Sequence, residues 1–158
     1  MNDTRNRLLD ILLDEASLAP ASPNAEHERR IALFDLRESN SFEVRDQDRG
    51  PYVLALALAE GRLAFDMADA TGARVCQHQM SLSPVRKLMK DYALICDSYY
   101  SAIREAAPSQ IEAIDMGRRA LHNDAAEVLM KALEEKFTLD FETARRLFTL
   151  VCAIHVRG

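Results

Sequence analysis

Four polar residues in one short stretch have the types and spacing to do chemistry: Asp115, Arg118, Arg119 and His122. On a helix at about 100° per residue they lie away from a broad arc of Met116, Ala120, Ala113, Gly117, Leu121 and Ile114. Glu112 shares their side of the wheel, and Ile111 interrupts it. Asp115 precedes Arg118 and Arg119 by three and four residues, the spacing at which helical side chains pair. That pattern predicts two guanidinium forks aligned by one carboxylate, a set suited to a carboxylate or another anion. His122 follows at the expected end of the helix, where the dipole favours its protonated form. Asn123 closes the stripe, and Tyr99 on the preceding helix is the aromatic candidate beside it. The structural alternative is a solvated ion-pair face whose histidine satisfies terminal carbonyls.

Other candidate clusters fall short of a site. In Glu26-His27-Glu28 the neighbours point in different directions on a helix, and no HExxH partner follows. Cys76-x-His78 offers two metal positions, and Cys152-x-x-His155 reaches three only with Cys96. No metal and no cofactor is therefore expected. Tyr99 and Tyr100 have the chemistry to stack a base, but aromatics at helical spacing read first as core with a polar tip. Arg145 and Arg146 read as a solvated patch. The three cysteines, odd in number and set in apolar patterns, read as reduced structural thiols. No catalytic signature or phosphate loop is present.

The elements that must position these groups follow from periodicity. Residues 7–14 alternate as a strand with Leu9, Ile11 and Leu13 on one face, although a helix also fits so short a run. After a Pro- and Ser-rich loop, Asn24 is placed to cap a helix carrying Ile31, Phe34 and Leu36 to about Asn40. Pro51 opens a β region. Tyr52, Leu54, Leu56 and Leu58 alternate with small residues, as in a central strand. Glu60-Gly61 turns the chain into Leu63, Phe65 and Met67, and the turn at Asp69–Gly72 leads to a third strand carrying Cys76, His78 and Met80.

Ser83-Pro84 starts the most periodic helix, Val85 through Ile103, with Ser83 read as its N-cap. Pro108 ends it, Ser109-x-x-Glu112 is a capping box for the next helix, and Asp124-x-x-Glu127 is a second box for another helix to about Lys136. Asp140 is placed to cap a last helix, with Phe141, Ala144, Phe148, Val151 and His155 on one side. The expected fold is α+β: a small antiparallel β-meander, with an N-terminal helix and about four C-terminal helices packed on it. A single domain is expected over residues 1–158, mainly β to residue 83 and helical from 84.

Composition narrows the function classes. The chain has 48% hydrophobic and 28% charged residues and a net charge of −5, an ordinary balance that lacks the footprint of a general nucleic-acid binder. Charge is uneven: residues 1–50 carry 7 Lys+Arg against 11 Asp+Glu, whereas residues 84–158 carry 11 of each, leaving room for a local basic patch. No apolar run approaches the ~18 residues of a membrane span, and the N-terminus, with acids inside its apolar run and no small-residue cleavage site, does not read as a signal peptide. A cytoplasmic protein is expected, with no membrane partner; the oligomeric state is not encoded in any pattern.

The stretches HERRIALFDL, GPYVLALALAEGRLAFD, DYALICDSYYSAI, PSQIEAIDMGRRALHN and TARRLFTLVC resemble uncharacterised protein family 0262, a group of bacterial proteins of unknown function. The resemblance covers nearly the whole chain and implies a soluble bacterial protein; it brings no catalytic residue with it. The leading functional reading is a non-enzymatic binding or regulatory protein that uses the Asp115–Asn123 surface for a protein partner. One alternative is an RNA- or ribosome-associated accessory protein acting through Arg118, Arg119, Arg145 and Arg146. Another is a small-anion binder or enzyme using Asp115, Arg119 and His122.

Overall fold

The computed structural model of the protein describes residues 4–18 and 23–155. The chain runs β1 (Leu8–Leu13), a single 3-10 turn (Glu15–Ser17), α1 (Pro23–Glu38), β2 (Phe42–Val44), β3 (Tyr52–Ala59), β4 (Arg62–Asp69), β5 (Arg74–Ser81), α2 (Ser83–Glu105), α3 (Pro108–Leu133), β6 (Phe137–Leu139) and α4 (Phe141–His155). This is the expected α+β class. The antiparallel meander is β3-β4-β5, and β1 joins it in parallel beside β3 to give the order β1-β3-β4-β5. A second sheet of two short strands pairs β2 with β6.

The meander forms where the pattern places it. Leu54, Leu56, Leu63, Phe65 and Met67 are fully buried on one face, and Met80 of β5 extends that face. The β3–β4 turn needs two left-handed residues, supplied by Gly61 at φ 76° and Glu60 at φ 51°. At the next turn Asp69 Oδ1 accepts hydrogen bonds from the Thr71 N–H and hydroxyl and from the Ala73 N–H, which holds its carboxyl down to about 2. The strand reading of residues 7–14 is correct, but its faces are not. A register shift between Leu8 and Asp10 breaks the alternation, so Leu8 and Ile11 are buried while Leu9 and Leu12 are exposed.

The helices depart further from expectation. Helix α1 buries Ala25, Ala32 and Leu36, whereas Ile31 and Phe34 face outward. The reason is the seam with α4, against which α1 packs and across which Arg29 Nε donates to Ala153 O at 3.1 Å. Helix α1 begins at Pro23, so Asn24 lies inside its first turn; a cap preceding Pro23 lies outside the described residues, as does the Asn24 side chain. Helix α2 starts one residue early, with Leu82 at the cap position and the Ser83 N–H donating to Ser81 Oγ.

Helix α3 is continuous from Pro108 to Leu133, so three helices follow β5 where about four were expected. Ser109 makes no cap bond, because Ala107 holds the cap position. Asp124 and Glu127 make no break: Ala125, Ala126, Leu129 and Leu133 form one buried stripe through the proposed boundary. Burial of that stripe outweighs a local capping signal worth about 1 kcal/mol. The cap read at Asp140 does form, with Asp140 Oδ1 accepting from the Thr143 N–H at 2.8 Å. Helix α4 is buried almost all round, from Ala144 and Leu147 through Phe148, Leu150, Val151, Ala153 and Ile154, as befits a helix enclosed by neighbours. One hydrophobic cluster joins residues from Leu8 to Ile154.

Candidate functional site

Helices α2 and α3 form an antiparallel hairpin closed at the turn before Pro108. Its base is core. Val85, Met89 and Tyr92 of α2 are buried, and so are Ala125, Ala126, Leu129 and Leu133 of α3. Toward the tip the burial stops, apart from Ala102. Gly117 lies where the two helices pack tightly, since a Cβ there would lie 3.1 Å from Ile95 Cδ1.

On this outer half the predicted pairing is realised. Arg118 donates to Asp115 Oδ1 through its terminal nitrogen at 2.6 Å and through Nε at 3.2 Å, and Arg119 Nε lies 3.0 Å from Asp115 Oδ2. The Arg118 guanidinium also sits 4.8 Å above the centroid of the Tyr99 ring, a cation–π contact. Hydrogen bonding from Arg118 holds the Asp115 carboxyl below the usual carboxylate range. Asp115, Arg118, Arg119 and Tyr99 are thus brought together. Arg118 is pinned from two sides, while Arg119 remains 69% exposed. Asn123 is exposed on the same helix.

His122 does not join them. The helix continues past it, so no helix end is available to favour a charged ring. Its Nε2 lies 2.7 Å from the Arg145 carbonyl on α4 and 3.0 Å from the Thr149 hydroxyl. A carbonyl only accepts, so Nε2 carries the proton and Nδ1 is the acceptor facing the Arg145 guanidinium at 3.4 Å. Tyr92 and Phe148 lie against the ring, with centroids 5.2 and 5.9 Å away. Burial pushes the His122 pKa down, contrary to the dipole-based expectation, and the neighbouring Arg145 and Arg118 charges add to that shift. His122 is a neutral clamp between α3 and α4.

Arg145 is accordingly not a solvated residue: Glu142 binds it at 3.2 Å, and its Nε is buried without a partner. Arg146 donates to the Ser39 carbonyl. An RNA backbone reaching Arg118, Arg119 or Arg145 would compete with Asp115 or Glu142 for them.

A cavity of about 360 Å³ lies further along α3, lined by Glu127, Met130, Lys131 and Glu134 together with Arg45 and β6. None of Asp115, Arg118, Arg119 and His122 lines it. Among the described residues no three His, Cys, Asp or Glu side chains gather as a metal set, and no helix is long and apolar enough to cross a membrane. The three cysteines are free thiols, and burial pushes all three up in pKa, which leaves them poor nucleophiles.

What the sequence did not reveal is the apolar part of the hairpin's outer surface. Tyr100, Ile103 and Met116 are 52%, 51% and 66% exposed, and Leu94 is exposed as well. Helical periodicity assigns Ile103 to the core because it continues the stripe of Tyr92 and Tyr99, but the body of the protein ends before that stripe does. No local signal in α2 records where α1 and α4 stop.

Comparison with known proteins decides the relationship. The family model of uncharacterised protein family UPF0262 matches residues 5–157. The chain belongs to this family. A UPF0262 protein of Mesorhizobium japonicum is 55% identical over 158 residues, covering 99% of this chain and 98% of that protein. UPF0262 proteins of Caulobacter vibrioides and Brucella canis are 56% and 54% identical over 153 residues each, covering 97% and 96% of this chain and 95% of each relative. No solved structure matches. Membership in UPF0262 fixes a bacterial protein family and assigns no reaction to the hairpin residues.

Proposed function

We propose that the protein is a non-enzymatic binding protein that offers the outer half of the α2–α3 hairpin to a protein partner. What supports this reading is that the outer half of the hairpin carries two features: large apolar side chains left exposed, and an arginine already oriented. Tyr100 and Ile103 are one turn apart on α2, as are Met116 and Arg119 on α3, so each pair forms a continuous contact strip. Tyr, Met and Arg are the residue types enriched at the centres of protein interfaces. Arg118, held by Asp115 and Tyr99, presents its remaining donors without further loss of side-chain freedom.

A photo-crosslinking residue at position 116 tests this in cells, with one at the exposed position 43 as control. The reading predicts a discrete adduct from position 116 and none from 43, lost when Ile103→Asp or Arg119→Ala is added. Equal labelling from both positions, or an adduct indifferent to those substitutions, would count against it.

A further inference from the structure

The four-stranded sheet has two edges, and they are treated differently. Along β1, three backbone groups are bonded by side chains of and just after α1. The Leu8 N–H donates to Asn40 Oδ1 at 2.7 Å, Asn40 Nδ2 donates back to the Leu8 carbonyl, and Arg37 donates to the Ile11 carbonyl. The edge is sealed. Along β5, among the described residues, only the first carbonyl is used, by Arg49 on Arg74 O.

Which β5 groups face outward follows from the ladder. The two-residue turn makes Ala59 and Arg62 the closing hydrogen-bonded pair, so Leu63, Phe65 and Met67 turn their backbone groups toward β5. The Leu82 N–H bonding to Gly61 O agrees with this phase. Their partners Met80, His78 and Cys76 face β4. The N–H and C=O of Gln77 and Gln79 therefore point away from the sheet. Natural edges are usually blunted by charge, proline or a covering element. From Val75 to Leu82 the sequence VCQHQMSL has no formal charge, no proline and no glycine.

The geometry points to this edge as a pairing surface for a second copy of the chain, β5 against β5 in antiparallel order. An uncharged antiparallel edge is its own complement. Gln77 of one copy lies opposite Gln79 of the other, both on the exposed face, with His78 beside the two-fold axis. Glu135 and Lys136 are the charged neighbours of His78, so each copy brings one acid and one base to the axis and the two meet without net repulsion there. The joined sheet has eight strands, within the usual range. Strand pairing alone falls short of a standard interface of about 1,600 Å², so the dimer forms with a concentration-dependent equilibrium rather than as an obligate unit.

Sedimentation velocity across a micromolar concentration series, with amide hydrogen exchange on the same samples, tests this. The wild-type chain is expected to shift from monomer to dimer, with exchange at the Gln77 and Gln79 amides slowing as the dimer fills. Gln79→Pro removes a donor that the protomer does not use and is expected to raise the dimer dissociation constant roughly tenfold or more, since the symmetric pair loses the bond twice. Gln77→Lys, which leaves every protomer hydrogen bond in place, is expected to act in the same direction through like-charge repulsion at the axis. It keeps the test decisive if the proline variant does not fold. A wild-type chain that stays monomeric throughout the series overturns the inference. So does a dimer unaffected by Gln77→Lys, or one whose Gln77 and Gln79 amides exchange at the monomer rate.

Discussion

The two halves of α3 share one helix and differ in what surrounds them. From Ala125 to Leu133 the stripe of Ala125, Ala126, Leu129 and Leu133 is shut in the core. From Ile111 to Asn123 the same face carries Ile111, Asp115, Arg118 and His122, and the outward face carries Met116 and Arg119. His122 stands at the border: it is part of the polar stripe by sequence and part of the packing by structure. The contrast separates groups whose chemistry is consumed in holding the fold from groups whose chemistry is still on offer. Asp115, Arg118 and Tyr99 are held together yet only partly buried, and the same half of the hairpin carries Tyr100, Ile103 and Met116, which the fold itself leaves exposed.

Substitutions on either side of the border should break or sharpen this contrast. The largest effect is expected at Leu129→Ala, which opens a void in a fully buried position and should cost about 2–5 kcal/mol in a denaturant titration. A loss below about 1 kcal/mol would erase the distinction between the halves.

His122→Ala should cost about 1–3 kcal/mol, since it leaves Arg145 and Thr149 without their ring partner. His122 also predicts a pH signature. Its folded pKa lies below the ordinary 6.5 because of burial, so the unfolded chain binds the proton more readily. The stabilisation is complete above about 6.5 and is lost as pH falls from there toward the folded value. His78, also lowered by burial, contributes in the same sense. Melting temperatures of the wild type should fall more steeply below pH 6.5 than those of His122→Gln. Parallel curves would place His122 outside the packing.

Arg118→Ala should cost no more than about 1 kcal/mol, because its ion pair is on the surface and Asp115 keeps Arg119. Met116→Ala should stay within about 0.5 kcal/mol of wild type. A thermal melt showing a larger loss at either position would make the outer half structural.

How much of this was legible in the sequence differs by element, for physical reasons. The meander could be read because alternation in β3 and β4 and the Glu60-Gly61 turn are local and agree with each other. The Asp115–Arg118–Arg119 pairing was equally legible, since a helix fixes neighbours three and four residues apart. The continuity of α3 was not, because Asp124-x-x-Glu127 is a sound local start signal overridden by packing on α4. His122 was misassigned for the same reason: its environment is set by Arg145, Thr149 and Phe148, which lie on a different helix. The bulge that re-aims Leu9 and the outward turn of Ile31 and Phe34 depend on register and on the α1–α4 seam, neither of which leaves a periodic trace.

The measurement that bears most directly on the hairpin as a binding surface combines stability with crosslinking in one variant. Ile103→Asp together with Arg119→Ala changes only exposed side chains, and the chain carries the photo-crosslinking residue at position 116. The predicted result is a melting temperature within a few degrees of the otherwise unsubstituted chain bearing the same crosslinker and loss of the crosslinked adduct. A large drop in melting temperature with the adduct retained would contradict it.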